Sequence, residues 1–196
     1  MRLIGTIAPD RPLLVIAVEE EAAHLGGELP VLLTGIGKVN ASVALATVLA
    51  RGERPSEIVN LGTAGALRPG LEGTHLVSRV VQHDLDTPVL HSLTGRTYGA
   101  DLTLDGADGG PVLATGDLFV SDAGARDRLA ARADLVDMEG YAVATAARRA
   151  GVPVRLVKHV SDEAGAGADR TWRESVDGCA QLLAAWVRDH LGRGRH

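Results

Sequence analysis

The segment Val136-Asp137-Met138-Glu139-Gly140 ends a short predicted strand, and a helix and a second strand then lead to Ser161-Asp162. Open α/β sheets bind ligands at the carboxyl ends of their strands. We therefore expect Asp137, Glu139 and Asp162 to lie where chemistry takes place. A carboxylate in such a position can also serve only as a helix cap, so the rest of the chain has to decide between the two interpretations.

The composition is that of a folded enzyme-sized domain. The chain has 196 residues, of which 45% are hydrophobic and 23% charged, so we predict one domain spanning residues 1–196 with a full core. The formal net charge of −5 argues against a nucleic-acid partner, which needs a basic face. The single cysteine, Cys179, excludes an internal disulfide and a cysteine zinc cluster, and its helical surroundings predict a small core residue.

The hydrophobic segments are too short for a membrane protein. None approaches the roughly 20 residues needed to span a bilayer. The first apolar residues meet Asp10-Arg11 too soon for a signal peptide. We therefore expect a cytoplasmic protein that does not bind membranes.

Short β-branched runs alternate with alanine-rich stretches along the chain. Strands are predicted at residues 13–18, 30–34, 58–61, 112–115, 135–137 and 152–160, with an antiparallel or edge strand at 75–83. Helices are predicted at residues 19–25, 39–51 and 141–150, while 88–110 has no clear assignment. This alternation predicts an α/β fold: one three-layer α/β/α domain with a mixed, mostly parallel central sheet.

The carboxyl-terminal part of the chain is predicted to be a glycine- and alanine-rich loop, residues 163–169, followed by a long helix. Thr171 and Glu174 have the spacing of a capping box at the start of that helix. Its apolar side chains form one stripe, and residues 193–196 are expected to be frayed. The stripe consists of Trp172, Val176, Cys179, Leu183, Trp186, Val187 and Leu191.

Two glycine-rich segments follow predicted strands. Gly35-Ile36-Gly37 lacks the third glycine of a dinucleotide fingerprint, and Glu57 precedes the next strand instead of ending it. We therefore predict no nicotinamide or other cofactor. Gly62-Thr63-Ala64-Gly65 is predicted to be a loop whose glycines allow close approach to a ligand, a weak signal by itself.

Two acidic segments have structural explanations of their own. Glu19-Glu20-Glu21 begins a predicted helix, where acids favour the helix dipole, and at most one or two of them can face a site. His83-Asp84-Leu85-Asp86 resembles part of a metal site, but no second histidine or cysteine cluster completes a coordination set. We favour strand-end hydrogen bonding there and predict no metal.

Taken in order, six segments carry a family resemblance. They are Ala17-Val18-Glu19-Glu20-Glu21, Gly35-Ile36-Gly37-Lys38-Val39, Asn60-Leu61-Gly62-Thr63-Ala64-Gly65, Thr115-Gly116-Asp117-Leu118-Phe119-Val120, Asp137-Met138-Glu139 and Val160-Ser161-Asp162. The ordered set resembles the nucleoside phosphorylase and nucleosidase superfamily, specifically its 5′-methylthioadenosine/S-adenosylhomocysteine nucleosidase branch. The resemblance covers nearly the whole chain.

The resemblance implies the chemistry of purine N-glycosidic cleavage, which passes through an oxocarbenium-like ribosyl cation. Asp162 matches the acid near purine N7, a role that suits it if burial keeps it protonated. Glu21 matches the carboxylate that activates water, and Glu139 matches the residue that grips the ribose hydroxyls. The implied substrate-binding positions, with Met138 against the sugar and main-chain groups around the base, are Thr63, Ala64, Gly65, Phe119, Val120, Met138 and Ser161.

Hydrolysis and phosphorolysis differ in whether the site holds phosphate. Phosphorylases of the superfamily typically carry an arginine just before the second glycine segment, where this chain has Asn60. An acid at Glu21 also repels phosphate, so we favour hydrolysis, with phosphorolysis as the alternative.

The sequence departs from the family pattern in ways that leave the substrate open. Gly140-Tyr141 replaces small residues, Lys158 stands where arginine is usual, and the chain is short between residues 83 and 112, where Tyr98 is the one aromatic residue. Adenosine-type thioethers, futalosine-like nucleosides and plain purine nucleosides all remain candidates, as does a non-catalytic nucleoside-binding protein. The resemblance also implies a homodimer.

Overall fold

The computed structural model describes residues 1–52 and 54–192, and within them all strands belong to one sheet. The strands are β1 (Arg2–Ile4), β2 (Leu13–Ile16), β3 (Val31–Leu33), β4 (Ile58–Ala66), β5 (Thr74–Leu76), β6 (Arg79–Gln82), β7 (Leu102–Thr103), β8 (Val112–Thr115), β9 (Leu135–Asp137) and β10 (Val154–Asp162). The helices are α1 (Glu19–Ala22), α2 (Lys38–Leu49), α3 (Thr87–Thr94), α4 (Ala123–Ala130), α5 (Gly140–Ala150) and α6 (Ala168–Leu191).

The sheet is mixed and mostly parallel, which confirms the predicted fold class. Its order is β1-β3-β2-β4-β9-β8-β6-β7, and β10 lies on the other edge of β4, with β5 beside it. Strands β3, β2, β4 and β10 run parallel to one another, as do β6, β8 and β9. The two groups meet where β4 pairs antiparallel with β9.

This meeting leaves a gap along one edge of β4. Strand β2 pairs with β4 up to Val15 opposite Asn60, and β9 pairs with it from Gly65 opposite Val136. The carboxyl ends of β2 and β9 therefore point at each other from opposite directions. The stretch of β4 between them, which contains Thr63, has no strand on that edge.

Apolar side chains fill both faces of the sheet. In β2, Leu13 and Val15 pack under α2 and α5, whereas Leu14 and Ile16 pack under α6. All four side chains are buried, and a strand buried on both faces reads as a continuous hydrophobic run. Helices therefore cover both sides of the sheet, as the sequence predicted.

The predicted loop at Gly62-Thr63-Ala64-Gly65 is wrong, because β4 continues to Ala66. Strand β10 pairs with β4 from Ile58 to Gly65, and this ladder keeps the segment extended. The glycines form no turn; their missing side chains allow other side chains to approach the strand closely. A Cβ on Gly65 would lie 3.1 Å from Asp162 Oδ1, and one on Gly62 would lie 3.3 Å from Glu21 Oε1.

The predicted start of the last helix is also wrong. Helix α6 begins at Ala168, after Gly167 in a left-handed conformation with φ of 85°, and the Thr171 hydroxyl donates to the Gly167 carbonyl from inside the helix. The preceding loop is accordingly only residues 163–167. The expected fraying of residues 193–196 lies outside the described residues.

Two other segments differ from the sequence expectation. The single strand expected at residues 75–83 is two strands, β5 and β6, which pair with different neighbours. The unassigned stretch contains α3, whose first turn is capped by the Asp86 side chain, and the short strand β7. Among the described helices, none is long and apolar enough to cross a membrane.

Candidate active site

A cavity of about 280 Å³ opens at the gap between the ends of β2 and β9. The ends of β2, β9 and β10, the middle of β4, the loop after β8 and the first turns of α6 contribute its walls. The lining residues are Ala17, Val18, Glu21, Ile36, Thr63, Gly65, Leu118, Phe119, Val120, Val136, Asp137, Met138, Glu139, Asp162, Asp169, Trp172 and Arg173.

Glu21 occupies the gap beside β4 that no strand fills. It is buried, and its Oε1 accepts hydrogen bonds from the Thr63 backbone N–H and from the Thr63 hydroxyl, each at 2.7 Å. The carboxylate thus takes the place of a strand partner for that N–H group. Burial raises the pKa of Glu21 above its usual value, although the Thr63 hydrogen bonds and the charge of Lys158 oppose the shift.

Glu139 lies between the end of β9 and the start of α5. Its Oε1 accepts a hydrogen bond of 2.7 Å from the backbone N–H of Gly37, whose φ of 97° suits glycine. Burial, together with the nearby charge of Asp137, raises the pKa of Glu139 to about 7, and Lys158 partly opposes this. The surroundings of Glu139 therefore disfavour its ionised form relative to an exposed glutamate.

Lys158 is buried beside Asp137, and its charge compensates that of the surrounding carboxylates. It is 1% exposed, and its Nζ lies 2.8 Å from Asp137 Oδ2. Asp137 also accepts hydrogen bonds from the Thr115 hydroxyl and the Gly140 N–H. Burial alone would lower the pKa of Lys158, but the surrounding carboxylates raise it by more, so the side chain remains a cation.

Asp162 ends β10 at a bulge, where the register with β4 shifts between Val160 and Asp162. Bulges often redirect a side chain next to a site. The Ser161 hydroxyl donates to Asp162 Oδ2 and the Ala164 N–H donates to Oδ1, both at 2.8 Å. Both oxygens of this buried carboxyl are therefore held in place at the cavity wall.

The structure brings most of the residues named from the sequence to this one cavity. Ala64 and Ser161 do not line it: the Ala64 methyl packs in the core with Val77 and Leu156, and the Ser161 hydroxyl binds Asp162. The named residues that line it are Glu21, Thr63, Gly65, Phe119, Val120, Asp137, Met138, Glu139 and Asp162.

Sequence reasoning missed the contribution of α6. Trp172 was assigned to the buried stripe of this helix, yet its indole N–H donates to Thr63 Oγ1 at 2.9 Å from the cavity wall. Asp169 and Arg173, on the same helix, also line the cavity. Their spacing of three and four residues places them on one face, which is the signal that could have revealed them.

The segment after β6, residues 83–86, forms hydrogen bonds at the strand end, in agreement with the interpretation favoured from the sequence. Asp84 Oδ2 accepts from the Asp117 backbone N–H at 2.8 Å, and Asp84 forms an ion pair with Lys38. Lys38 also donates its backbone N–H to Asp117. These contacts join the loops after β6 and β8 to the start of α2.

Comparison with known proteins agrees with the sequence resemblance. A family model described as the phosphorylase superfamily matches residues 21–105 and 110–189. A 5′-methylthioadenosine/S-adenosylhomocysteine nucleosidase of a Marinomonas species is 31% identical over 189 residues, which cover 85% of this chain and 81% of the relative.

Two solved structures have the same fold as this chain at low sequence identity. The 5′-methylthioadenosine/S-adenosylhomocysteine nucleosidase of S. pneumoniae, with a transition-state inhibitor, has a TM-score of 0.79 at 22% identity and covers 93% of this chain and 98% of its own. A futalosine hydrolase mutant of Helicobacter pylori has a TM-score of 0.78 at 21% identity, and the match covers 91% of this chain and 97% of the hydrolase chain.

Proposed function

This chain belongs to the phosphorylase superfamily, in its 5′-methylthioadenosine/S-adenosylhomocysteine nucleosidase family, and on that premise we propose that it hydrolyses the N-glycosidic bond of an adenosine-type nucleoside. The products are the free purine and the ribose moiety. The convergence of Glu21, Glu139 and Asp162 on one cavity carries this proposal. Cleavage through a ribosyl cation needs an acid, a base and negative charge near the sugar, and these carboxylates can supply all three.

Asp162 is the acid in this scheme. As the bond between C1′ and N9 breaks, its electron pair moves onto the purine, and the Asp162 proton passes to N7. The charge left on the ribosyl cation is stabilised by the surrounding carboxylates. Ser161 and Ala164 orient the Asp162 carboxyl for this transfer.

Glu21 is the base, and Glu139 holds the sugar. A water molecule bonds to C1′ through its oxygen and gives a proton to Glu21. Glu139 accepts hydrogen bonds from the ribose hydroxyls, and Met138 packs against the ring. The purine lies near Phe119 and Val120, with the main chain at Gly65 completing its site.

Water is favoured over phosphate by the surroundings of the cavity. Asn60, at the position of the phosphorylase arginine, is buried and donates its side-chain N–H to the Val15 carbonyl at 2.9 Å. Lys158 is paired with Asp137. Among the lining residues Arg173 is the one basic side chain, and a phosphate dianion needs several fixed donors or cations.

A nucleoside panel with chromatography for free base tests the proposed function. We expect the chain to release adenine from 5′-methylthioadenosine or S-adenosylhomocysteine at the same rate with and without phosphate. Release only with phosphate would identify a phosphorylase. Release from futalosine alone would identify the futalosine-type alternative, and binding without release would identify a nucleoside sensor.

Exposed apolar side chains beside the cavity support a homodimer. Ile36, Leu118 and Phe119 line the cavity yet are 51%, 69% and 48% exposed, and Val39 and Val43, one turn apart on α2, are 69% and 59% exposed. Clustered exposed apolar side chains commonly mark a protein interface, and twofold association is the commonest symmetry.

We expect light scattering at micromolar concentration to give twice the chain mass for the wild-type chain and a smaller mass for the Val43→Glu variant. A wild-type chain that scatters as a monomer would refute the dimer.

A further inference from the structure

A chain of hydrogen bonds connects α6 to Glu21 through Thr63. The Trp172 indole N–H donates to Thr63 Oγ1 at 2.9 Å, and the Thr63 hydroxyl and backbone N–H both donate to Glu21 Oε1 at 2.7 Å. All three residues line the same cavity. Helix α6 is therefore linked to Glu21, the proposed base, through Thr63 alone.

The chemistry of the three groups sets the direction of every bond. An indole nitrogen can only donate, and an ionised carboxylate can only accept. Thr63 Oγ1 has one hydrogen, so while Trp172 occupies one of its lone pairs the hydrogen is directed at Glu21. Trp172 thus prevents the hydroxyl from turning elsewhere in the cavity.

The two Thr63 bonds are concentrated on one oxygen of Glu21. Within the described residues, Glu21 Oε2 accepts no hydrogen bond, and Lys158, the nearby cation, pairs with Asp137 instead. The carboxylate is consequently held by Oε1, with Oε2 available to a molecule in the cavity.

We propose that Trp172 is a positioning residue for hydrolysis, which acts through Thr63 to hold Glu21 with Oε2 directed at the attacking water. This inference rests on the proposed function of the site and adds a residue to it.

Loss of the indole N–H has two expected consequences. The Thr63 hydroxyl becomes free to rotate, so the Glu21 carboxylate loses part of its orientation and kcat falls. The Thr63 hydrogen bonds also oppose the raised pKa of Glu21. Weakening them raises that pKa further, so less Glu21 is ionised and the acidic limb of the pH profile moves to higher pH.

The Trp172→Phe variant tests the proposal because it keeps a ring in the cavity wall and removes only the donor. We expect kcat to fall about five- to tenfold, as for loss of one hydrogen bond, with KM changed less than about threefold and the acidic limb at higher pH. Trp186→Phe is the matched control. Trp186 lies on the same helix, stacks on His190, does not line the cavity, and should leave the kinetics unchanged.

Substitutions at Thr63 test the same chain independently. Thr63→Val should lower kcat at least as much as Trp172→Phe. The double variant should lose little more activity than Thr63→Val alone, because both substitutions interrupt the same chain of hydrogen bonds. Thr63→Ser, which keeps the hydroxyl, should restore most of the rate. Thermal unfolding of each variant separates kinetic loss from misfolding.

Several outcomes would overturn the inference. An unchanged kcat and pH profile in Trp172→Phe, a rise confined to KM, or fully additive losses in the double variant would each leave Trp172 as packing only. The wild-type rate in the same assay distinguishes failure of the proposed function from failure of this inference alone. A wild-type chain that hydrolyses no nucleoside overturns the proposed function and this inference together, whereas an unaffected Trp172→Phe overturns the inference alone.

Discussion

Replacement of Asp162 by asparagine lowers turnover by about 10²–10⁴-fold in our expectation, the usual contribution of a general acid. The amide has nearly the same shape as the carboxyl, and its oxygen can still accept from Ser161 or Ala164, which bind Asp162 at 2.8 Å. It cannot give an acidic proton to the leaving purine. Nucleoside affinity and thermal stability should therefore change little while kcat collapses.

Asp169→Asn provides the control for this measurement. Asp169 lies at the wall of the same cavity but is exposed and takes no part in the proposed mechanism, so its substitution makes the same carboxyl-to-amide change without removing the acid. Release of free base, followed by chromatography, should be near normal in Asp169→Asn. Near-normal release in Asp162→Asn would exclude Asp162 from the mechanism.

Replacement of Lys158 by methionine should destabilise the fold by about 3–5 kcal/mol, the range found when one partner of a buried ion pair is removed. Lys158 is 1% exposed and lies 2.8 Å from Asp137, so the variant leaves a buried carboxylate without its cation. Urea unfolding measures the loss. Adding Asp137→Asn should recover part of it, because the uncompensated charge is then gone.

The destabilisation by Lys158→Met should depend on pH with a definite sign. Glu139 has its pKa raised from 4.5 to about 7 in the folded chain, so ionising it costs stability as pH rises through that interval. Lys158 reduces this cost. The loss in free energy of unfolding caused by Lys158→Met should therefore be larger at about pH 8 than at about pH 5. An equal loss at both pH values would contradict the compensation of the Glu139 charge by Lys158.

Local sequence was sufficient for the elements whose boundaries depend on their own residues. Strands β8 and β9 were predicted with their observed limits, and α5 differs by one residue, because each is a short apolar or alanine-rich run between turn-forming residues. The fold class followed from the alternation of such runs. The ordered motifs also pointed to Glu21, Glu139 and Asp162, each close to the end of a buried strand.

Tertiary structure decided what depends on residues far apart in the chain. Gly62 and Gly65 resemble loop residues, yet pairing with β10 keeps them in a strand, where their missing side chains make room for Glu21 and Asp162. The gap beside β4 exists because β2 and β9 approach it from opposite directions, which no local pattern records. The bond from Trp172 to Thr63 spans 109 positions. Periodicity predicts which face of a helix is apolar, but only the packed fold determines which polar atom that face meets.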